Sequence, residues 1–439
     1  MSKHGVFVQE EATALTAPIT GSCSIPVVVG TAPVNMVQNP EEVINTPILA
    51  NSAAEAMAAL GYVDDFENYT LCQMMYATNN IYQVSPAVYI NVLDPTKHKK
   101  ALSETTATVS QMQAKISTKG IIPKGLVVKA ASATLTAGTD YTTEFDTDGS
   151  LIVNLIEGGK GASATSITVS GNVLDPSMIT KTDIVGAYNA STGKESGLEV
   201  VRQVYPKLGV VPGLIVAPGW SQIPEVGIAM SAKAANINGV FKAVALVDLD
   251  TTKATKYTDC KKTKEDSGFT SAFCYPTWPC VKVGDYVFAM SAVVAALIAY
   301  TDASNDDVPS LSPSNEMLGV TGTCLADGTE VTLDQDQGST VNTYGVATAI
   351  NMNGWKLWGN YTGAFPSSGD AKDIWLAVRR MFNWHGNNFI QTYFEKVDDP
   401  MNHVLIESII DSENIRCAAY APDKWAGAEM QYLASDNPI

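Results

Sequence analysis

The sequence predicts a multidomain protein with a doubly wound α/β core, an inserted β-rich domain and a C-terminal α+β domain. Four short apolar segments, each followed by a Pro, Gly or Asp turn, alternate with helical patterns, as in an open parallel sheet. Between the second and third segments the composition changes to Thr, Ser, Ala and Gly with alternating apolar residues. A length of 439 residues allows about two to four domains.

The four apolar segments are predicted to be strands that are buried on both faces. They lie around Val27, Ala87, Leu214 and Ala243. Capping and stop signals mark the helices between them. The predicted helices occupy residues 53–60, 70–82, 195–205 and 225–237.

Residues 97–180 are predicted to form a small β-sandwich inserted into the α/β core. A hairpin turn between Asp146 and Gly149 supports this interpretation. Insertions of this kind sit at exposed loops and decorate a surface. The strand candidates are residues 126–129, 133–136, 141–145, 151–155 and 166–170.

The region after residue 250 is less regular. Pro276, Trp278 and Pro279 indicate an irregular packed segment over residues 273–283. Residues 286–301 are apolar but number only about 16, fewer than the roughly 18 to 20 needed to cross a bilayer, so they predict a buried helix. Residues 302–341 are acidic and polar and predict short strands and a loop.

The C-terminal part centres on residues 354–384, where a strand is followed by a turn and an amphipathic helix over about residues 370–394. An apolar stripe is predicted on one face of this helix, and Arg379 and Arg380 fall off it, so both arginines are expected to face water or a partner. The stripe consists of Ile374, Val378, Met381 and Phe382. A second helix is predicted over residues 400–411.

Composition and motifs argue against several functions. A net charge of -17 and a pI of about 4.6 disfavour nucleic-acid binding, which needs clustered Lys and Arg. Phosphate-loop, dinucleotide and metal motifs are lacking, so no cofactor or metal site is predicted. The seven cysteines contain no C-x-x-C pair and indicate reduced thiols in a protein made in the cytoplasm, and the N-terminus has no secretion signal.

Ser221 is the best candidate nucleophile. It follows a predicted strand, as in the nucleophile elbow of α/β hydrolases. The elbow needs Gly two residues after the serine, and Ile223 stands there. With only four histidines available as a base, hydrolase chemistry is the alternative rather than the main prediction.

Residues 1–22 predict an extended N-terminal arm. Val6 and Val8 alternate with neighbouring residues as in a strand. A lone terminal strand either docks on its own domain or adds an edge strand to a neighbouring molecule, and the residues themselves leave both options open. The residues assigned to this arm are Gly5, Val6, Phe7, Val8 and Glu10.

Two groups of motifs together resemble contractile tail sheath proteins, which occur in phages and phage-tail-like particles. The first is HGVFVQE followed by IPVVVGTAP over residues 25–33. The second is a W-G-x-x-T turn formed by Trp358, Gly359 and Thr362, followed by the Arg379–Arg380 pair. The resemblance covers most of the chain outside residues 97–180.

This resemblance implies a structural protein rather than an enzyme. The α/β core, residues 23–96 and 181–341, would be subtilisin-like without catalytic residues, and residues 342–439 would form the C-terminal domain. Copies would polymerise around a tail tube, linked by strand addition of their arms, and would contract by rigid-body movement. The expected partners are identical subunits and the tube, baseplate and tail terminator proteins, with assembly in the bacterial cytoplasm into a virion tail or tail-like particle and without membrane insertion.

The sequence departs from the sheath pattern in two places. Tyr361 stands where an Arg is usual in the tryptophan-glycine turn. The chain stops at Ile439, where the family continues into a strand that forms a C-terminal arm. Without that strand, the chain is expected not to form long tubes. A different kind of self-assembling surface or capsid protein is the other alternative.

Overall fold

A computed structural model describes residues 24–400, 402–433 and 435. The described part of the chain divides into two compact units, a larger one that ends at Asn383 and a smaller one that begins at Trp384. The residues predicted to form the N-terminal arm, including Gly5, Val6, Phe7, Val8 and Glu10, lie outside the described part of the chain.

The described residues form the following strands and helices. The strands are β1 (Pro26–Gly30), β2 (Pro47–Ala50), β3 (Ala87–Asn91), β4 (Lys99–Thr108), β5 (Gln113–Lys119), β6 (Val127–Ala130), β7 (Ala133–Thr134), β8 (Tyr141–Phe145), β9 (Ser150–Leu155), β10 (Ser166–Leu174), β11 (Tyr188–Asn189), β12 (Lys194–Glu195), β13 (Leu214–Val216), β14 (Val244–Asp248), β15 (Cys274–Thr277), β16 (Cys280–Val283), β17 (Tyr286–Phe288), β18 (Gly322–Cys324), β19 (Thr348–Asn351) and β20 (Trp355–Trp358). The helices are α1 (Ala53–Leu60), α2 (Leu71–Tyr76), α3 (Lys181–Val185), α4 (Val204–Leu208), α5 (Pro224–Ala235), α6 (Cys260–Ser267), α7 (Met290–Ala303), α8 (Gln335–Thr343), α9 (Ala371–Ile374), α10 (Leu376–Tyr393) and α11 (His403–Ala419).

A six-stranded sheet with the order β15-β14-β13-β1-β3-β2 forms the centre of the larger unit. The first five strands in this order run parallel, and β2 pairs antiparallel with β3 at one edge. β1, β3, β13 and β14 are fully buried, which explains why they are apolar without alternation. The four predicted core strands and their parallel arrangement are therefore confirmed.

The prediction of an irregular segment over residues 273–283 was wrong. β15 is the fifth parallel strand of the sheet, and β16 belongs to a separate three-stranded sheet with β17 and β18. Pro276 is tolerated because β15 lies at the sheet edge and pairs within this sheet only with β14, so no further ladder hydrogen bond is lost.

The helices between the core strands follow the predictions except over residues 195–205. α1 is confirmed, with the Ser52 hydroxyl accepting from the Glu55 amide and Gly61 ending the helix at a φ of +76°. Residues 195–205 do not form one α-helix, because a 3-10 segment over Gly197–Gln203 precedes α4. Pro206 does not stop α4, since it lies in the first turn, where its missing N–H costs no hydrogen bond.

α7 is a deeply buried helix of the larger unit and confirms the prediction of a buried helix over residues 286–301. The first three residues of the predicted helix, Tyr286–Phe288, form β17 instead. The α7 residues from Met290 to Ile298 are at most 2% exposed. Within the described part of the chain, no helix is both long and apolar enough to span a membrane.

Residues 99–174 form two antiparallel sheets, with the orders β4-β10-β6-β7 and β5-β9-β8. Both contribute side chains to one apolar cluster, including Ile116 and Val153 from the smaller sheet and Val128 and Val169 from the larger one. The sequence patterns missed β4 and β5, because most of their side chains are polar and exposed.

The described C-terminal residues include the hairpin of β19 and β20, followed by α9, α10 and α11. β19 and β20 are joined through Gly354, whose φ of +117° favours glycine. Trp375 separates α9 from α10, so the predicted helix over residues 370–394 is interrupted. In the smaller unit, α11 extends eight residues beyond the predicted end at Asp411, from 411 to 419.

Replacing Gly227 with Ala is expected to destabilise the larger unit, although Ala normally favours helix formation. An added Cβ on α5 would lie 2.4 Å from Phe269 Cε1 and 2.9 Å from the Ser221 carbonyl oxygen, and overpacking of this kind costs about 1–3 kcal/mol. Gly386 in α10 is the matched control, because its added Cβ meets no atom within 4 Å. Gly386→Ala is expected to stabilise the protein by about 0.5–1 kcal/mol. Thermal unfolding measures the melting temperature of both variants. Equal shifts of the two melting temperatures would contradict the close packing of Gly227 against Phe269.

Candidate functional site

The carboxyl edge of the parallel sheet, where doubly wound folds usually bind ligands, is built around the carboxylate of Asp248 at the end of β14. The Ser221 hydroxyl donates to Asp248 Oδ2 at 2.7 Å, and the Thr277 hydroxyl donates to Oδ1 at 3.0 Å. The Ser291 amide, in the first turn of α7, donates to Oδ1 at 2.9 Å, and its hydroxyl donates to Oδ2 at 2.5 Å. The protein's own donors therefore satisfy this carboxylate.

Ser221 is not arranged as a nucleophile. Its side chain is fully buried, and the Asp248 amide donates to its oxygen at 3.0 Å. His98, the one histidine in the described part of the larger unit, accepts from the Asp94 amide through Nδ1 at 2.9 Å. No described histidine contacts Ser221, so the hydrolase alternative has no support in the geometry.

A cavity of 580 Å³ opens beside Asp248. Five further carboxylates line it, whereas no Lys or Arg among the described residues does. Burial raises the pKa of Asp250, but hydrogen bonds from Thr252 and the nearby Lys253 outweigh burial and hold that pKa below its usual value. A cavity of this charge repels phosphate groups, which agrees with the lack of nucleotide motifs. The five carboxylates belong to Asp64, Asp65, Glu67, Asp250 and Asp285.

The tryptophan-glycine turn holds β20 against the preceding structure. Gly359 has a φ of +139°, and a Cβ there would lie 2.6 Å from Asn342 Oδ1 and 2.9 Å from Ala347 Cα. The Tyr275 hydroxyl donates to the Gly359 carbonyl at 2.7 Å. Trp358, the last residue of β20, is only partly buried. Glycine is required here by a close approach of backbone, not by a ligand.

Thr362 connects the same turn to the start of the C-terminal helices. It is fully buried, and its hydroxyl donates to the carbonyl of Asp373 and accepts from the Ala364 amide. Its amide donates to the Ile374 carbonyl at 2.9 Å. The threonine therefore positions α9 and has the hydrogen bonds of a structural residue.

Arg379 and Arg380 are buried, at 6% and 2% exposure, so the prediction that they face water or a partner was wrong. Arg380 donates through both terminal nitrogens to the carboxylate of Asp302, which is fully buried near the end of α7. The Ser24 hydroxyl donates to the same carboxylate at 2.5 Å. This bidentate pair joins α7 to α10.

Arg379 lies between a carboxylate and aromatic rings. Its Nη1 donates to Asp373 Oδ1 at 3.2 Å, and its Cζ lies 5.0 Å from the ring centre of Phe273. Burial lowers the pKa of the Arg379 guanidinium, and Asp373 opposes that shift. The charge is thus held by an ion pair and a cation–π contact, not by solvent.

The exposed face of α10 carries two of the four residues that were predicted to form a buried stripe. Val378 is 37% exposed and Phe382 is 54% exposed, and they lie four residues apart on one side of the helix. The predicted apolar stripe is therefore wrong, because α10 turns its arginines inward toward Asp302 and Asp373. The sequence signal for this inversion was Asp302 itself, a single carboxylate near the end of an apolar helix, which needs a buried cationic partner.

The smaller unit contains a cluster of His385, Glu413 and Cys417, whose possible ligand atoms lie within 4.8 Å of one another. Arg416 Nη2 lies 3.1 Å from His385 Nδ1 and 3.0 Å from Glu413 Oε2. The guanidinium therefore already supplies a positive charge where a metal ion would bind. We interpret this cluster as a buried charge pair with a neutral histidine.

Two solved structures with a similar fold are contractile sheaths. The sheath of an extracellular contractile injection system in the contracted state matches with a TM-score of 0.55 and 14% identity, over 98% of this chain and 85% of that one. The contracted helical sheath of the anti-feeding prophage matches with a TM-score of 0.52 and 14% identity, over 96% and 85%. The chain therefore has the fold of a contractile sheath protein.

The chain is also similar in sequence to the tail sheath protein of Burkholderia phage BcepMu. It is 26% identical over 430 residues, which cover 94% of this chain and 85% of the relative. No family model matches the chain. The similarity to contractile tail sheath proteins that the sequence motifs indicated is confirmed by both comparisons.

Breaking the Asp302–Arg380 pair is expected to destabilise the larger unit by about 3–5 kcal/mol, because either single change, Asp302→Asn or Arg380→Met, leaves a buried charge without its partner. The double variant is expected to recover part of this loss. The exposed Lys262–Asp266 pair is the control, and Asp266→Asn is expected to cost less than about 1 kcal/mol. Urea unfolding measures the free energy of unfolding of all four variants. A loss of less than about 1 kcal/mol in Asp302→Asn would contradict a buried ion pair between Asp302 and Arg380.

His385 is expected to make stability fall in mild acid. Burial and the charge of Arg416 lower the pKa of His385 from 6.5 to about 4, so the unfolded chain binds a proton in this range that the folded chain does not. The contribution of neutral His385 to the free energy of unfolding is complete above pH 6.5. It decreases by about 1–2 kcal/mol as the pH falls toward 4, after allowance for the partial exposure of the side chain. Unfolding of wild type and His385→Gln between pH 4 and pH 7.5 tests this difference. Parallel pH profiles for the two proteins would rule it out.

Proposed function

We propose that this protein is a structural subunit of a contractile tail sheath, which polymerises around a tail tube and drives the tube forward by contracting. The similarity to a phage tail sheath protein over 94% of the chain carries this proposal. The saturated Asp248 carboxylate and the buried Ser221 support a scaffold role for the α/β core. The tail sheath resemblance identified from the sequence motifs points to the same function.

We also propose the finer division of the chain. Residues 23–96 and 181–341 form a subtilisin-like α/β core without catalytic residues, residues 97–180 an inserted β-sandwich, and residues 342–439 a C-terminal domain. The parallel order of the central sheet and the shared apolar cluster of the two sheets between residues 99 and 174 support it. The inserted domain leaves β4 and β5 with mostly exposed polar side chains, as expected of a surface decoration.

Contraction in this proposal is a rearrangement of rigid subunits. The Asp302–Arg380 pair joins the first part of α10 to the α/β core, and the hydrogen bond from Tyr275 to the Gly359 carbonyl joins the turn motif to it, so the larger unit is proposed to move as one body. The energy comes from a metastable packing of subunits rather than from a nucleotide. The exposed Val378 and Phe382 are apolar surface available to a neighbouring copy.

The N-terminal arm, with Gly5, Val6, Phe7, Val8 and Glu10, is proposed to link neighbouring subunits by adding a strand to the next copy. The other partners are the tube, baseplate and tail terminator proteins. Assembly takes place in the bacterial cytoplasm, and the product is a phage tail or a phage-tail-like particle. Trp358, Gly359, Thr362, Arg379 and Arg380 shape the subunit from within.

The double variant Val6→Asp/Val8→Asp is expected to raise the protein concentration needed for polymerisation at least about tenfold, because each buried valine contributes about 1.5 kcal/mol or more. Sedimentation velocity and negative-stain electron microscopy of the full chain, alone and with a tail tube, measure polymer formation. Circular dichroism checks that the variant remains folded.

The matched control adds the same charge elsewhere in the arm. Thr13→Asp/Thr16→Asp lies outside the alternating segment and is expected to polymerise like wild type. A wild-type chain that stays monomeric at every concentration, with and without a tube, would overturn the proposed function. Equal polymerisation of wild type and the valine variant would overturn only the role of the arm.

A further inference from the structure

Two cysteines face each other across neighbouring strands. Cys280 begins β16, Cys324 ends β18, and the two residues are direct partners in the antiparallel register. Such partners project from the same face of a sheet, with Cβ atoms about 4.5–5.5 Å apart. A disulfide needs Cβ atoms about 3.5–4.5 Å apart, so a small movement of the strands brings the two sulfurs into bonding geometry. Both thiols are free in the structure.

The pair differs from the other described cysteines in position and access. Cys280 is partly exposed and lines the 580 Å³ cavity at the carboxyl edge of the sheet, whereas Cys324 is fully buried behind it. Cys274 lies nearby in the sequence but is buried in β15 opposite Ala245. A small reagent can therefore reach Cys280 first, and Cys324 is placed to react with it afterwards.

We propose that Cys280 and Cys324 form an oxidation site that takes a low-molecular-weight disulfide as its substrate and becomes a cross-strand disulfide. The Cys280 thiolate attacks one sulfur of the small disulfide and forms a mixed disulfide, and one small thiol leaves with the proton lost by Cys280. The Cys324 thiolate then attacks Cys280 Sγ and releases the second small thiol. The protein loses two electrons and two protons, and the small disulfide gains them.

The surroundings make this reaction slow at neutral pH. Burial raises the pKa of the Cys280 thiol, and the negative charge of Asp248 raises it further. Burial also raises the pKa of the Cys324 thiol, although the ammonium group of Lys282 on the adjacent strand opposes that shift. Because the thiolate is the attacking species, the rate rises about tenfold per pH unit below the thiol pKa. The site therefore responds to prolonged oxidising conditions rather than to brief ones.

The bond would close a loop of 45 residues, counted from 280 to 324 inclusive, that contains α7 and Asp302. Closing such a loop restricts the unfolded chain and stabilises the folded one. If the proposed sheath function holds, a particle released from the reducing cytoplasm would gain this restraint outside the cell. The chemistry of the pair itself does not depend on polymerisation.

The test uses the full chain, fully reduced and then incubated with oxidised glutathione at pH 8. Intact mass spectrometry is expected to show the loss of two hydrogens without a retained glutathione. Peptide mapping is expected to join the peptide containing Cys280 to the one containing Cys324, and the melting temperature is expected to rise by about 5 °C. The rate at pH 7 is expected to be about tenfold lower than at pH 8.

Three variants make the result decisive. Cys280→Ser and Cys324→Ser are each expected to abolish the internal bond, and Cys324→Ser is expected to retain one glutathione on Cys280. Cys274→Ser is the control, because Cys274 shares a tryptic peptide with Cys280, and it is expected to form the bond like wild type. A stable glutathione adduct on wild type, a bond through Cys274 or no oxidation would overturn the proposal. None of these outcomes bears on tube formation, which electron microscopy of the reduced protein measures separately.

Discussion

The structure of the larger unit depends on one buried carboxylate, that of Asp302. It accepts hydrogen bonds from both terminal nitrogens of Arg380 in α10 and from the hydroxyl of Ser24 in the segment before β1. Asp302 and its two donor residues come from three distant parts of the sequence, so the end of α7 fixes where the segment before β1 and α10 attach. A buried charge is tolerated only with such partners, which makes this contact a condition for the arrangement of the segments around it.

A second buried carboxylate, Asp248, stands where doubly wound folds usually bind a ligand, and the protein's own donors occupy it. It stands at the sheet edge where a ligand would bind, and three side-chain hydroxyls and one amide satisfy it. The adjacent cavity is strongly acidic and lacks basic lining residues among those described. In the proposed function the core is a scaffold, and the work is done by surfaces and chain ends rather than by a pocket.

Local signals in the sequence were sufficient for much of the fold. Continuous apolar segments identified four of the five parallel strands, and the capping residue Ser52 and the stop at Gly61 located α1. The fifth strand was missed because Pro276 is a strand breaker except at a sheet edge, and no local pattern shows which strand is an edge. β4 was missed because its exposed polar residues show no regular alternation, and β5 was missed because only Ala114 and Ile116 mark its buried face.

The sequence by itself determined the class of the core, the presence of an inserted β-rich segment and the likeness to contractile sheath proteins, because these rest on periodicity, turn residues and short motifs. Only the tertiary structure decided which side of α10 is buried. Helical periodicity favoured the face with Val378 and Phe382, yet the paired charges of Asp302 and Asp373 drew the arginines inward and left the apolar residues outside. A buried ion pair joins residues 78 positions apart, and no local pattern records such a contact.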